Sequence, residues 1–191
     1  MQFDLCTYNI RGLNSKQAFV KDFIGFHKLS FVVLLETHVQ ESNAPSISRF
    51  IGPNFLWIFN YDHCSNGRIW IGYNPTFWKV QPIASSAQHS SCAITLLSSG
   101  SSFMASFIYG FNSAIERRTL WDDLTAFKAQ SCSNLPWCLS GDFNVCYGPH
   151  ESSAGSHWTT SMLEFKDFMC SAELTDLRTS GQTFTWCDCN L

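Results

Sequence analysis

The chain has 191 residues with a formal net charge of −3, and 45% of the residues are hydrophobic. This length fits one domain with one core, and the composition excludes a disordered or fibrous chain. The charge excludes a general attraction to nucleic acid or to an anionic membrane, so a polyanionic ligand would need a local basic groove. The nine cysteines follow no disulfide framework spacing and predict reduced, mostly buried thiols.

No apolar segment approaches the length of a membrane span, and the first residues do not form a secretory signal. We therefore expect an intracellular protein, nuclear or cytoplasmic, with no membrane partner. Cys146, His150 and His157 share one loop, but their spacing is not that of a zinc site. The isolated histidines are expected on the surface: His38, His63, His89 and His157.

The N-terminal part of the chain predicts two strands separated by a helix. Phe3 to Asn9 predicts the first strand, and Ser15 predicts the N-cap of the helix. Three phenylalanines share one face of this helix: Phe19, Phe23 and Phe26. The run from Phe31 to Glu36 is apolar almost throughout, which predicts a strand covered on both sides. A loop containing Pro45 is expected to follow.

Further apolar segments separated by turn residues predict a meander of strands. These segments are Phe55 to Tyr61, Arg68 to Tyr73, Phe77 to Ile83, Cys92 to Leu97 and Phe103 to Tyr109. The serine-rich stretches Ser85 to Ser91 and Ser98 to Ser102 are expected to be hairpin loops between these strands.

Two capping boxes predict helices in the second half of the chain. Ser113 with Glu116 opens a helix that runs to about Lys128, and Ser161 with Glu164 opens another. The inward-facing residues of the two helices are expected to be Leu120, Leu124, Phe127, Phe165, Phe168 and Met169.

The last predicted elements are strands. Trp137 to Leu139 predicts a strand that ends near Asp142, and a final strand is expected near Thr183 to Trp186. Crossover helices mixed with hairpins predict an α+β fold, a four-layer α/β/β/α sandwich in which two mainly antiparallel sheets pack together with helices outside. No domain boundary is visible, so we expect a single domain over residues 1–191.

Several apolar segments end on a polar or acidic residue, at Asn9, Glu36, Tyr109 and Asp142. A buried strand that ends in this way holds the polar group at the edge of a sheet, where a rigid scaffold can aim it at a ligand. Four such ends predict one site where these side chains converge. Taken singly, each is more commonly an ordinary strand-end or turn residue.

Motifs in chain order resemble those of the endonuclease/exonuclease/phosphatase superfamily, whose members have the DNase I-like fold. The motifs are TYNIRGLN from Thr7, LET from Leu35, YGFN from Tyr109, GDFN from Gly141 and TFTW from Thr183. Within the superfamily, the chain is most similar to the apurinic-type endonuclease domain of plant non-LTR (LINE-type) retrotransposons. The resemblance implies a DNA endonuclease that nicks with Mg²⁺ or Mn²⁺, and full-length relatives with a reverse-transcriptase region.

The resemblance also implies a role for each converging side chain. Asn9 and Glu36 would hold the metal, and Asp142 would orient or deprotonate the attacking water. Asn144 and Tyr109 would donate hydrogen bonds to the phosphate as charge builds on it. This metal site is chemically adequate, because Mg²⁺ keeps several waters and needs only one or two protein carboxylates.

Other residues are assigned by the same resemblance. Asn112 would support the catalytic group, and DNA contacts are expected at Arg11, Lys16 and Arg68, because phosphate binding needs basic side chains. The chain ends at Leu191, where relatives continue to a terminal Asp-His pair. A C-terminally incomplete domain is therefore expected, with nicking absent or reduced by about two orders of magnitude.

Two other functions stay open. The same fold serves small-molecule or RNA phosphodiesterases and phosphatases, and the fold alone does not choose among them. A non-catalytic relic or binding domain is the alternative from another class. In each case a monomer is expected.

Overall fold

The computed structural model describes residues 4–151 and 157–177. These residues form two four-stranded sheets packed face to face, with helices on both outer surfaces. The predicted α+β sandwich is confirmed. The strand expected near Thr183 to Trp186, and with it the expected incompleteness of the domain, lies outside the described residues.

The first sheet has the strand order β1-β2-β4-β3. Its strands are β1 (Leu5–Asn9), β2 (Phe31–Leu35), β3 (Leu56–Phe59) and β4 (Ile69–Tyr73). β1 and β2 are parallel, with Asn9 opposite Leu35, and the other pairs are antiparallel. The parallel pair places the carboxyl ends of β1 and β2 at the same edge of the sheet.

The second sheet has the order β5-β6-β7-β8. Its strands are β5 (Trp78–Ser85), β6 (His89–Leu96), β7 (Ser102–Tyr109) and β8 (Trp137–Asp142). β7 and β8 are parallel, with Tyr109 opposite Asp142. Ser140 Oγ in β8 donates a hydrogen bond of 2.9 Å to Thr7 Oγ1 in β1, which joins the two parallel pairs across the sandwich.

Helices cover both outer faces. They are α1 (Gln17–Phe26), α2 (Ala44–Ile51), α3 (Ala114–Ser131) and α4 (Thr160–Ser171). α1 and α2 pack on the first sheet around the buried Trp70, and α3 and α4 pack on the second around Leu120. Between the sheets lies a third core that includes Phe31 and Phe107. As predicted, Leu120, Leu124, Phe127, Phe165 and Phe168 are buried.

Helix boundaries differ from the prediction at three places. The loop expected around Pro45 is wrong, because this residue lies in the first turn of α2, where its missing N–H costs nothing. Ser15 is not a cap, since α1 begins at Gln17 without a side-chain capping bond. The Ser113 cap is confirmed, but α4 is capped by Thr159, whose hydroxyl accepts from the N–H of Met162 at 3.2 Å.

One prediction of exposure is also corrected. Ser90, Ser91 and His89 were expected in a loop or on the surface, but all three lie buried within β6, and His89 is only 3% exposed. The shared phenylalanine face of α1 exists but faces solvent at Phe19 and Phe26. α1 packs against the sheet through smaller aliphatic side chains, which fit closer to the strands.

Within the described ranges, no helix is long and apolar enough to span a bilayer. The cysteines described are all free thiols, as predicted. Cys92 is buried, whereas most of the others are half-buried, so the expectation of mostly buried thiols is only partly met.

Candidate active site

Asn9 joins two acidic side chains that come from different sheets. Its side-chain nitrogen donates to Glu36 Oε1 at 2.7 Å and to Asp142 Oδ2 at 3.0 Å. Asn9 Oδ1 accepts from the N–H of Arg11 at 3.2 Å, which fixes the end of the amide that faces the carboxylates. Both acids are therefore held on one amide, at the edge where the two parallel strand pairs end.

Asp142 is held at both carboxylate oxygens. While Oδ2 accepts from Asn9, Oδ1 accepts from the backbone N–H of Asn144 at 3.0 Å. The side-chain nitrogen of Asn144 donates to the carbonyl of Gly110 at 2.6 Å, so this amide ties the segment after β8 to the segment after β7. The orientation of the Asp142 carboxylate is thus set by its surroundings.

Tyr109 lies beside the acidic pair, with its side chain largely buried. Burial raises the pKa of Tyr109 to about 12, assisted by the negative charge of Glu36 and a hydrogen bond with it, while the Arg68 guanidinium lowers the pKa. The phenol is therefore protonated at neutral pH and is a hydrogen-bond donor, with Glu36 as its partner in this structure.

Glycines allow the close approach of β7 and β8. A Cβ on Gly141 would lie 2.1 Å from the carbonyl oxygen of Ile108, and this glycine has a φ of +147°. A Cβ on Gly110 would lie 2.6 Å from the carbonyl oxygen of Phe143. No other residue type fits at Gly141 without moving the strands apart, and their spacing sets the distance between Tyr109 and Asp142.

Left-handed backbone is concentrated around this site. Of the described non-glycine residues with positive φ, Lys28 and Glu173 lie two residues after the ends of α1 and α4, where this conformation is common. The others are Arg11, Glu36, His38 and Asn144. Such conformations cost about 1 kcal/mol or more each and persist where the surrounding structure over-determines them, which is typical of functional sites.

Three basic side chains were predicted to bind DNA, and they differ in their surroundings. Arg68 lies at the site, with its guanidinium carbon 5.5 Å from the ring centroid of Tyr109. Lys16 Nζ donates to the carbonyl of Ile10 at 2.6 Å and to that of Arg11 at 3.3 Å, so it braces the loop after β1. Arg11 itself is exposed.

Asn112 is exposed, and the structure does not bring its side chain into contact with the converging residues described above. Instead, its carbonyl accepts from the Arg117 guanidinium at 3.4 Å. Arg117 and Gln88 were not among the predicted site residues; both are buried polar residues that hold the segment after β7. No local pattern marks them, because their importance comes from burial.

His38 was expected on the surface, and its side chain is exposed, but it also lies beside Glu36. Its Nε2 lies 3.5 Å from Glu36 Oε2. Its position two residues after Glu36 was the available signal. Between them, Thr37 is fully buried and its hydroxyl donates to the carbonyl of Gly67. The side chains of Glu36 and His38 lie together on the other side of this segment.

The donor set suits a hard divalent cation. Across residues 4–151 and 157–177, no group of three or more His, Cys, Asp or Glu side chains is placed to hold a metal. Mg²⁺ does not require such a group, because one or two carboxylates and several waters satisfy it. Glu36 and Asp142 meet this requirement. Asn9 presents its nitrogen to them, so it positions the carboxylates rather than offering an oxygen.

No protein-family model matches the sequence, and no curated protein matches it significantly. Solved structures share its fold. The 3'-5' exonuclease NExo of Neisseria meningitidis aligns with a TM-score of 0.66 and 14% identity, over 86% of this chain and 69% of that one. An endonuclease/exonuclease/phosphatase from Bacteroides vulgatus aligns with a TM-score of 0.57 and 18% identity, over 74% and 65%.

D. rerio TDP2, complexed with a single-strand DNA product, aligns with a TM-score of 0.53 and 12% identity, over 73% of this chain and 60% of that one. These likenesses establish the fold, which is the DNase I-like sandwich of endonuclease/exonuclease/phosphatase proteins. The chain spans about two thirds of their length. These matches do not bear on the narrower resemblance to the endonuclease domain of plant retrotransposons.

Proposed function

We propose that the chain is a metal-dependent phosphodiester hydrolase. The observation that carries this proposal is the pairing of Glu36 and Asp142 on Asn9 at the joined edges of the two sheets. Two carboxylates held this close create a strongly negative point that a divalent cation would neutralise. A polar cluster with left-handed backbone on a rigid sandwich is also the setting expected of a catalytic site.

Each side chain has a role that its contacts support. Glu36 would hold Mg²⁺ or Mn²⁺, and Asn9 would keep the two carboxylates in register. When bound, the ion supplies charge neutralisation at the phosphoryl oxygens and assistance to the leaving oxygen. Asp142, fixed at both oxygens, would orient the attacking water and accept its proton.

Hydrogen-bond donors complete the proposed site. Tyr109 would donate to a phosphoryl oxygen as negative charge builds, which a phenol with a raised pKa can do across the neutral range. Asn144 donates to the Gly110 carbonyl, so it would act chiefly by holding the segment after β7. Asn112 would help to hold the same segment through its backbone carbonyl, which accepts from the Arg117 guanidinium.

The substrate we propose is DNA, cleaved internally. Arg68 supplies a cation beside the acidic pair, and Arg11 and Lys16 lie on the loop that follows Asn9. The likeness to TDP2 with a single-strand DNA product supports a nucleic-acid substrate for this fold. Because its motifs resemble those of plant retrotransposon endonucleases, we also propose that the chain is an endonuclease domain that acts with a reverse transcriptase.

A plasmid-nicking assay tests this function. We expect the protein to convert supercoiled plasmid to open circles with Mg²⁺ and not with EDTA, at the reduced rate expected from its sequence. Asp142→Asn should lower the rate by about 10²-fold or more, because the positioned proton acceptor is lost. The matched control is Asp22→Asn, which neutralises an exposed aspartate on α1 and should leave the rate unchanged.

The same assay separates the alternatives. Nicking that survives EDTA, or equal rates for Asp142→Asn and the wild type, would contradict the proposal. Cleavage of an RNA oligonucleotide but not of plasmid, with the same dependence on Asp142, would change the substrate class and keep the chemistry. No cleavage of any phosphodiester would favour a binding domain.

A further inference from the structure

The Arg68 guanidinium is held at the acidic site by aromatic rings. Its central carbon lies 5.5 Å from the ring centroid of Tyr109 and 5.1 Å from that of Phe111. Among residues 4–151 and 157–177, the guanidinium donates no hydrogen bond and forms no ion pair. An arginine in this position keeps its fork of N–H groups available for a ligand.

The backbone of Arg68 is fixed on both sides. Its N–H donates to Asn60 Oδ1 at 3.0 Å, and its carbonyl accepts from the N–H of Glu36 at 2.8 Å. Asn60 is buried, and it also accepts from the N–H of Ile69 at 2.9 Å. The backbone of Arg68 is therefore held in place, and it is hydrogen-bonded directly to Glu36, one of the two acidic residues of the site.

The aromatic support is equally fixed. The N–H of Phe111 donates to Gln88 Oε1 at 2.7 Å, and its carbonyl accepts from the Arg117 guanidinium at 2.6 Å. Gln88 and Arg117 are only 2% and 3% exposed. Buried polar groups that are fully hydrogen-bonded hold their partners rigidly. The backbone of Phe111 is thereby fixed, and its ring lies next to the half-buried Arg68 guanidinium.

We propose that Arg68, Tyr109 and Phe111 form an anion subsite that binds a phosphate group of a polynucleotide strand next to the acidic pair. The inference rests on the proposed hydrolase function and names the group that holds its substrate. A guanidinium fork fits two non-bridging phosphate oxygens, and the resulting bidentate contact is strong and directional. The net negative charge of the chain makes such a local cation necessary.

A binding experiment without turnover tests the subsite. Fluorescence anisotropy would measure the Kd of labelled single-stranded oligothymidylate in EDTA, at salt concentrations from about 50 to 200 mM. Arg68→Ala should weaken binding about tenfold and reduce the slope of log K against log salt by about 0.7, the loss of one phosphate contact to a single strand.

Two further variants separate charge from geometry. Arg68→Lys keeps the charge, so it should restore the salt slope while recovering only part of the affinity. Phe111→Leu keeps an apolar side chain but removes the ring face, so it should weaken binding about two- to fivefold with the slope unchanged. Arg49→Ala, which removes an exposed arginine on α2, is the matched control and should change Kd less than twofold.

The outcomes are distinct from those of the nicking assay. The proposed subsite is overturned if the wild type does not bind the oligonucleotide or if Arg68→Ala binds it as tightly as the wild type does. It is also overturned if Arg49→Ala weakens binding as much as Arg68→Ala. Retained binding with no nicking would overturn the hydrolase and not the subsite. Melting curves establish whether each variant is folded. If Arg68→Ala does not fold, the binding of Arg68→Lys and Phe111→Leu decides whether the subsite exists.

Discussion

His89 is a buried histidine within a chain of polar contacts under α3. Its Nδ1 lies 3.1 Å from Ser91 Oγ, which is 2.6 Å from Ser106 Oγ, and its Nε2 lies 3.8 Å from Asp123 Oδ2. Burial lowers the pKa of His89 from its usual 6.5, although Asp123 opposes the shift. The folded protein therefore favours the neutral imidazole.

This arrangement predicts a stability loss in mild acid. Because the pKa of His89 is lower in the folded than in the unfolded state, the unfolded state binds more protons once the pH falls below 6.5. The stabilisation is complete above that pH and is lost as the pH falls toward the folded-state pKa. Urea denaturation from pH 7.5 to 5 should show a shallower decline for His89→Gln than for the wild type.

The exposed His157 supplies a control for this titration. His157→Gln should follow the wild-type decline, because this exposed side chain is in contact with water in the folded protein as it is in the unfolded chain. A decline in His89→Gln as steep as in the wild type would show that another group titrates.

Sequence reasoning succeeded for residues whose position along the chain carries the information. Asn9, Glu36 and Asp142 follow apolar segments, and that pattern alone predicted their convergence. His89 was expected on the surface, because a histidine in a serine-rich stretch has no local sign of burial. The same limit applies to Gln88, whose hydrogen bonds connect residues far apart in sequence.

At the scale of elements, the tight pairing of β7 with β8 depends on Gly141. Its φ of +147° suits glycine, and a Cβ would overlap the Ile108 carbonyl. Gly141→Ala should lower the free energy of unfolding by about 3 kcal/mol or more, because backbone strain adds to overlap with a backbone atom that cannot move aside. Urea denaturation would measure the change.

Gly25 in α1 provides a control with the opposite expected sign. A Cβ there meets no atom within 4 Å. Gly25→Ala should therefore stabilise the protein by about 0.5 to 1 kcal/mol, since alanine loses less backbone entropy in a helix. A loss below about 1 kcal/mol for Gly141→Ala would show that β7 and β8 can separate without cost.

Helices were harder to predict than strands, for reasons visible in α2 and α4. The sequence Asn43-Ala44-Pro45 fits a loop as well as a helix start, and the choice is made when Ile47 and Ile51 bury against the first sheet. In α4, both Thr159 and Ser161 are capable caps. Ser161 is instead used by the Arg117 guanidinium, a contact that no local rule anticipates.

At the scale of the whole molecule, one parallel strand pair in each sheet produces the site. Among the strands that the structure describes, the other pairings are antiparallel, so only β1 with β2 and β7 with β8 bring neighbouring carboxyl ends to one edge. The hydrogen bond from Ser140 to Thr7 aligns these edges across the sandwich. The sequence predicted the layers and the strand ends, but strand order and direction depend on packing between distant segments.

This architecture predicts that a divalent cation stabilises the whole fold. An ion that binds only the folded protein adds RT ln(1 + [L]/Kd), about 1.4 kcal/mol when its free concentration is tenfold above Kd. Mg²⁺ should therefore raise the Tm of the wild type, and Glu36→Gln should lose this response, because an amide oxygen is a weaker ligand than a carboxylate. Glu41→Gln, at an exposed glutamate, is the control, and KCl at equal ionic strength corrects for screening. An equal rise in Tm with KCl, or in Glu36→Gln with Mg²⁺, would show that the ion does not bind at Glu36.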